Sequence, residues 1–273
     1  MSLEMENRTE TIAAVTRTVI RTSQRNTAAP PARKSARGGD LPQVLSKFYE
    51  AMSARLGPMS WWPARTPFEV IVGAILTQNT AWANVERAID NLRQARLLTP
   101  IALERVPRAR LAKLIRSSGY FRQKAIKLKA FVRFLRRGYG GSIARMFRRP
   151  TAELREELLA VHGVGPETAD SILLYAGHHP VFVVDAYTRR ILERHSLVGE
   201  KASYNDLRQL FESNLPREAK LWNDYHALIV NVGKNWCRTR NPLCEQCPLG
   251  QFLPAESKAA LLKDISATAE ARA

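Results

Sequence analysis

The chain has 273 residues, with 42 Lys or Arg against 25 Asp or Glu and a formal net charge of +17. No uninterrupted apolar run approaches the roughly 18 residues of a membrane span, and three cysteines crowded between 237 and 247 argue against a secreted disulfide scaffold. So large a basic excess calls for an acidic polymer as partner, nucleic acid being the commonest, although ribosomal or chromatin-type binding would satisfy the charge equally.

Residues 1–40 are rich in Arg, Thr, Ala and Pro, with APPARKSARGGD as the clearest linker. They read as a disordered basic tail rather than a transit peptide, and Glu4, Glu6 and Glu10 speak against a secretory signal. From Leu41 the pattern turns helical. LPQVLSKFYEAMSARLG predicts one amphipathic helix ending at Gly57, and Thr66-Pro67 supplies a cap and first turn for a helix through about Thr77. Asn79 and Thr80 break that helix, and TAWANVERAIDNLRQA restarts with Trp82, Val85, Ile89 and Leu92 on one face. Helices are expected at Pro100 to Val106 and Arg108 to Ser117, with SGYFRQKA as a break before a basic helix from Ala125 to Arg137. Two more are expected at Tyr204 to Ser213 and Pro216 to Asn231. No strand pattern or repeat stands out, so the predicted class is all-α.

The most informative stretch lies between. TAELREELLA spaces Leu154, Leu158 and Leu159 for one buried helix face, and Pro166 opens an apolar helix continued by Ile172, Leu173 and Leu174. Between them Gly163-Val164-Gly165 leaves room only for a tight hairpin. Glycines permit positive φ and close approach, and amides at the start of the second helix make a phosphate seat. HHPVFVVDAYTRRIL then places Asp185 after a Pro-led apolar run.

A hairpin followed by such an aspartate resembles the endonuclease III-like helix-hairpin-helix DNA glycosylases. WWP, GAILTQNTAW and GVGPETADSILLYA are most similar to the 3-methyladenine glycosylase III branch, over residues 42 to 253. The resemblance implies a two-lobed all-α fold with the active site in the cleft between lobes. Residues 60–179 would form a helical barrel lobe, residues 41–59 plus 180–255 the second lobe, and residues 256–273 a C-terminal tail. It makes Asp185 the catalytic carboxylate that stabilises oxocarbenium charge and orients water; helix capping is the plainer role for the same residue. Where strand-cutting relatives carry a lysine that forms a Schiff base, this chain has Glu167. A carboxylate cannot form the imine, so the resemblance is to a monofunctional, water-using glycosylase, with Glu167 either catalytic itself or a solvated side chain at a helix N-terminus.

The resemblance assigns the amides of Gly163, Val164 and Gly165 to DNA phosphate. Gln78 and Asn79 would fill the gap left by an extruded nucleotide, and Tyr120 would act as an intercalating wedge. Trp62 and Trp82 would be walls of the base pocket or core tryptophans. Cys237, Cys244 and Cys247 reproduce three ligands of the family's [4Fe–4S] loop, with Leu253 at the fourth position. Either a nonthiolate group completes the cluster or the loop is held by Leu249, Phe252 and Leu253. The expected function is monofunctional release of a damaged base, an alkylated purine, from double-stranded DNA by a monomeric cytoplasmic, nuclear or organellar enzyme with no membrane partner. The rival readings are a glycosylase for oxidised, deaminated or mismatched bases and a noncatalytic DNA-binding relative.

Overall fold

The structure, a computed structural model, describes residues 41–57, 59 and 64–258. Trp62, the basic tail and the last fifteen residues lie outside that set.

Helix α1 (Leu41–Leu56) buries Leu45, Phe48 and Met52 and stops at Gly57, whose φ of 73° only glycine adopts without cost. Helix α2 (Pro67–Leu76) starts where Thr66 predicts: the Thr66 side chain accepts from the Glu69 amide, and Pro67 takes the first position. PFEVIVGAIL is apolar on almost every side, so α2 is buried from Phe68 to Leu76. Each buried Val, Ile or Leu contributes about 1.5–3 kcal/mol, and the one buried carboxylate, Glu69, is met by Arg93 at 2.6 Å.

Around α2 pack α3 (Trp82–Gln94), α6 (Phe121–Tyr139) and α9 (Pro166–Ser171), the last with its widened continuation Ile172–Ala176. Helices α4 (Pro100–Arg105) and α5 (Arg108–Leu114) cover α6 from outside. The short α7 (Ile143–Met146) leads to α8 (Thr151–Leu159), which pairs with α9 as a hairpin. Helices α10 (Ala186–Arg194) and α12 (Ala219–Asn235) pack together, α1 lies on α12, and α11 (Tyr204–Glu212) carries a capping box at Ser203 and Asp206. The described residues contain no strand, and none of their helices is long and apolar enough to cross a membrane.

Several elements differ from expectation. Helix α6 begins at Phe121, because Gly119 (φ 66°) and Tyr120 (φ 43°) complete the break in two residues. Helix α12 begins at Ala219 rather than Pro216, after a turn in which Glu218 donates to the Pro216 carbonyl, and runs on to Asn235 because Val232 and Gly233 are buried. A hydrogen on Gly233 is required there: a Cβ would lie 2.3 Å from the Tyr187 ring. Helix α7, a single turn, has too little periodicity to announce itself.

Candidate active site and DNA-facing surface

The hairpin is built as its sequence suggests, but its two glycines differ. Gly163 has φ 83°, and a Cβ on it would fall 2.3 Å from Cγ of Lys127. Gly165, with φ −93°, is the extended N-cap of α9, and open space surrounds the position a Cβ would take. Val164 is buried, and its amide donates to the Val161 carbonyl at 3.0 Å. The Val164 amide is thus used in closing the hairpin. Among the described residues the amides of Gly163 and Gly165 take no backbone partner.

Two lysines of α6 tie the hairpin to the loops singled out for DNA contact. Gln78 donates from Nε2 to the Gly163 carbonyl at 3.0 Å and to Thr168 Oγ1 at 2.9 Å, while Lys127 donates to its Oε1. Lys124, 2% exposed, donates to the Leu76 carbonyl at 2.9 Å and to the Ser118 carbonyl. One buried ammonium thus joins the end of α2, just before Gln78 and Asn79, to the turn that carries Tyr120. Burial, with Lys127 nearby, pushes the Lys124 amine down to about 8. Asn79 is exposed with φ 52°, and Tyr120 is 71% exposed, so both side chains stand out from left-handed turns. Trp82 is half-buried at the start of α3.

Asp185 caps α10. Its Oδ1 accepts from the Thr188 amide at 2.8 Å and from Thr188 Oγ1 at 2.9 Å, while Oδ2 lies 3.8 Å from Nε2 of buried His226 on α12. Capping and a free second oxygen coexist. Glu167, in the first turn of α9, is solvent-exposed by surface area, yet protein surrounds it on most sides. Desolvation and the charge of Asp185 raise its carboxyl to about 7.

Behind these residues Asp170 is fully buried. Arg155 of α8 holds it with Nε–Oδ1 at 2.7 Å and Nη2–Oδ2 at 3.1 Å, and Tyr204 donates to Oδ2 at 2.8 Å. The Val184 amide reaches the Tyr204 oxygen at 3.4 Å. Both hairpin helices are thereby linked to the segment that ends at Asp185. Neither this network nor His226 is signalled by sequence, since each joins residues far apart in the chain.

The cysteine loop does not fit a four-thiolate cluster. Leu253 stands where a fourth thiolate would be, and Arg194 Nη1 donates to Cys237 Sγ at 3.1 Å. Among the described residues no three His, Cys, Asp or Glu side chains are grouped to hold a metal. Leu249 of this loop is buried, and the Phe252 ring lies 5.3 Å from Phe48.

An all-helical unit with a glycine hairpin, a helix-capping aspartate and an exposed aromatic turn defines a helix-hairpin-helix DNA repair glycosylase. The chain belongs to the HhH-GPD superfamily of base excision DNA repair proteins, whose model matches residues 72–217. It is 45% identical over 212 residues to "Putative DNA repair glycosylase MJ1434" of Methanocaldococcus jannaschii, covering 77% of this chain and 96% of that protein. It is 32% identical to endonuclease III of Thermotoga maritima, covering 66% of this chain and 79% of the relative. Among solved structures, H. pylori 3-methyladenine DNA glycosylase (MagIII) bound to 1,N6-ethenoadenine matches with TM-score 0.63 and 28% identity, over 72% of this chain and 98% of that one. A trapped endonuclease III–DNA covalent intermediate shares the fold at TM-score 0.69 and 24% identity, over 81% of this chain and 98% of that one.

Proposed function

We propose that the protein is a monofunctional DNA glycosylase that hydrolyses the N-glycosidic bond of an alkylated purine flipped out of duplex DNA. The observation that carries this reading is the pair Glu167 and Asp185: a carboxyl stands where lysine chemistry would need an amine, and burial together with the charge of Asp185 raises it. The reading divides the helical unit into a barrel lobe, residues 60–179, and a second lobe of residues 41–59 plus 180–255, with Asp185 at the cleft.

In this mechanism the C1′–N bond breaks heterolytically and its electron pair leaves with the base. A purine methylated at N3 or N7 is already cationic, so it departs neutral and needs no general acid. Charge left on the sugar is balanced by the Asp185 carboxylate, and water adds to C1′ while its proton passes to that carboxylate. Glu167, largely protonated below about pH 7, does not compete with Asp185 for the cation and cannot form an imine. The amides of Gly163 and Gly165 hold phosphate without reading sequence. Gln78, Asn79 and Tyr120 occupy the space of the extruded nucleotide, and Trp82 walls the base. Likeness to a 3-methyladenine glycosylase at 28% identity supports the alkylated substrate.

Likeness to endonuclease III favours a second reading, in which the substrate is an oxidised or mismatched base. A panel of duplexes separates the two, each carrying one 7-methylguanine, 3-methyladenine, 1,N6-ethenoadenine, thymine glycol, uracil or G·T mismatch. The proposal expects release of alkylated purines by the wild type and a loss of roughly 1,000-fold or more in Asp185→Asn. Release confined to thymine glycol, uracil or the mismatch supports the second reading. Undiminished release by Asp185→Asn removes the mechanism.

A further inference from the structure

The two oxygens of Asp185 have different surroundings. Oδ1 is committed to Thr188, whereas the polar group nearest Oδ2 in the ion-pair geometry is Nε2 of His226 at 3.8 Å. That separation is too long for a hydrogen bond, and Nε2 has no hydrogen-bond partner among the described residues. His226 is only 4% exposed, with the Phe182 ring edge-on at 6.4 Å. Burial pushes the imidazole below its ordinary value, against the pull of Asp185, so the ring is neutral and carries one N–H.

Which nitrogen carries it follows from the neighbours. Nδ1 meets the hydroxyl of Tyr175, a residue of the widened turn Ile172–Ala176 that continues the second hairpin helix. Were the hydrogen on Nδ1, the lone pair of Nε2 would face a carboxylate oxygen across a buried gap, two acceptors repelling one another. With Tyr175 donating to Nδ1, the hydrogen sits on Nε2 and points at Oδ2. Only the second arrangement is attractive at both ends.

We infer that His226 is a positioning residue for Asp185: its Nε2–H, fixed by Tyr175, closes on Oδ2 and keeps that oxygen aimed at C1′ of an extruded nucleotide. A small rotation of the carboxylate about its Thr188 anchor closes the gap, leaving the outer lone pair of Oδ2 for the sugar. The inference rests on the reading of Asp185 as the group that balances sugar charge. It adds why that group is backed by a buried imidazole and why the hairpin helix widens where Tyr175 meets it.

The test uses full-length protein and two duplexes that differ at one residue. One carries a 1-aza-sugar whose ring nitrogen replaces C1′ and is cationic at neutral pH; the other carries neutral tetrahydrofuran. Wild type is expected to prefer the cationic duplex by about 100-fold or more, and Asp185→Asn to lose the preference. His226→Phe and His226→Asn are expected to lower the preference about tenfold with tetrahydrofuran affinity within about twofold of wild type, and His226→Gln, which keeps an N–H near the Nε2 position, to restore most of it; a tenfold change is about 1.4 kcal/mol. A full preference in both His226→Phe and His226→Asn overturns the positioning role and leaves the Asp185 reading intact. A wild type without preference overturns that reading and the role with it. The tautomer gives a check independent of any variant: nitrogen NMR of the imidazole should show the hydrogen on Nε2, and a hydrogen on Nδ1 overturns the inference.

Discussion

The side-chain amide of Gln78 is bonded to the hairpin it faces, with Nε2 3.0 Å from the Gly163 carbonyl and 2.9 Å from Thr168 Oγ1. The loop expected to enter the gap in DNA is therefore preorganised by the element expected to grip phosphate. Removing the amide in Gln78→Ala should weaken binding to a tetrahydrofuran duplex about tenfold, some 1.4 kcal/mol, and should affect undamaged duplex far less. Equal losses on both duplexes in a filter-binding series would mean that Gln78 only braces the hairpin.

The hairpin glycines should respond differently to alanine. At Gly163 the left-handed backbone costs a Cβ about 1–2 kcal/mol, and that Cβ would displace Lys127, which holds Gln78. Gly165 is extended and has room. Gly163→Ala should lower affinity for every duplex, and Gly165→Ala should stay within about twofold of wild type, well under 1 kcal/mol. Equal damage from both would show that phosphate itself approaches Gly165 too closely for a methyl group.

Asp170 and Arg155 form a buried pair joined by two hydrogen bonds, with side-chain exposures of 0% and 12%. Taking away one partner leaves a charge in the interior, which typically costs about 3–5 kcal/mol. Arg155→Met should lose stability of that order in urea unfolding, with reduced base release because Tyr204 and the Val184 segment lose their anchor. A loss below about 1 kcal/mol would show that water reaches Asp170.

Local chemistry made much of this legible. Thr66-Pro67, the stop at Gly57, the hairpin and the cap at Asp185 are each decided by a few adjacent residues, and sequence alone locates them. The start of α6 was hidden because nothing in SGYF announces that Tyr120 takes a left-handed conformation. Lys124 and Lys127 read as two more charges on a basic helix. That one is buried under two carbonyls and the other holds Gln78 depends on helices brought together from distant parts of the chain. His226 sits among apolar residues in WNDYHALIVNV, where periodicity predicts burial but says nothing of its facing Asp185.

The raised carboxyl of Glu167 has a consequence for stability. An acid whose folded-state value lies above its unfolded one stabilises the fold fully below the unfolded value, and that contribution disappears as pH rises through the folded value. For Glu167 the window runs from its ordinary 4.5 to about 7. Wild type should lose melting temperature across that window relative to Glu167→Gln, with the two curves parallel outside it. A difference that grows as pH falls below 4.5 would contradict the sign.

The central claim is that water, not an amine of the protein, attacks the sugar. Incubating wild type with a duplex holding one 7-methylguanine or 3-methyladenine, with and without borohydride, and resolving the strands before and after hot alkali tests it most directly. The account predicts released base, an intact strand that breaks only after alkali, and no protein–DNA adduct in borohydride. An efficiently trapped covalent complex, with strand cleavage before alkali, would contradict it.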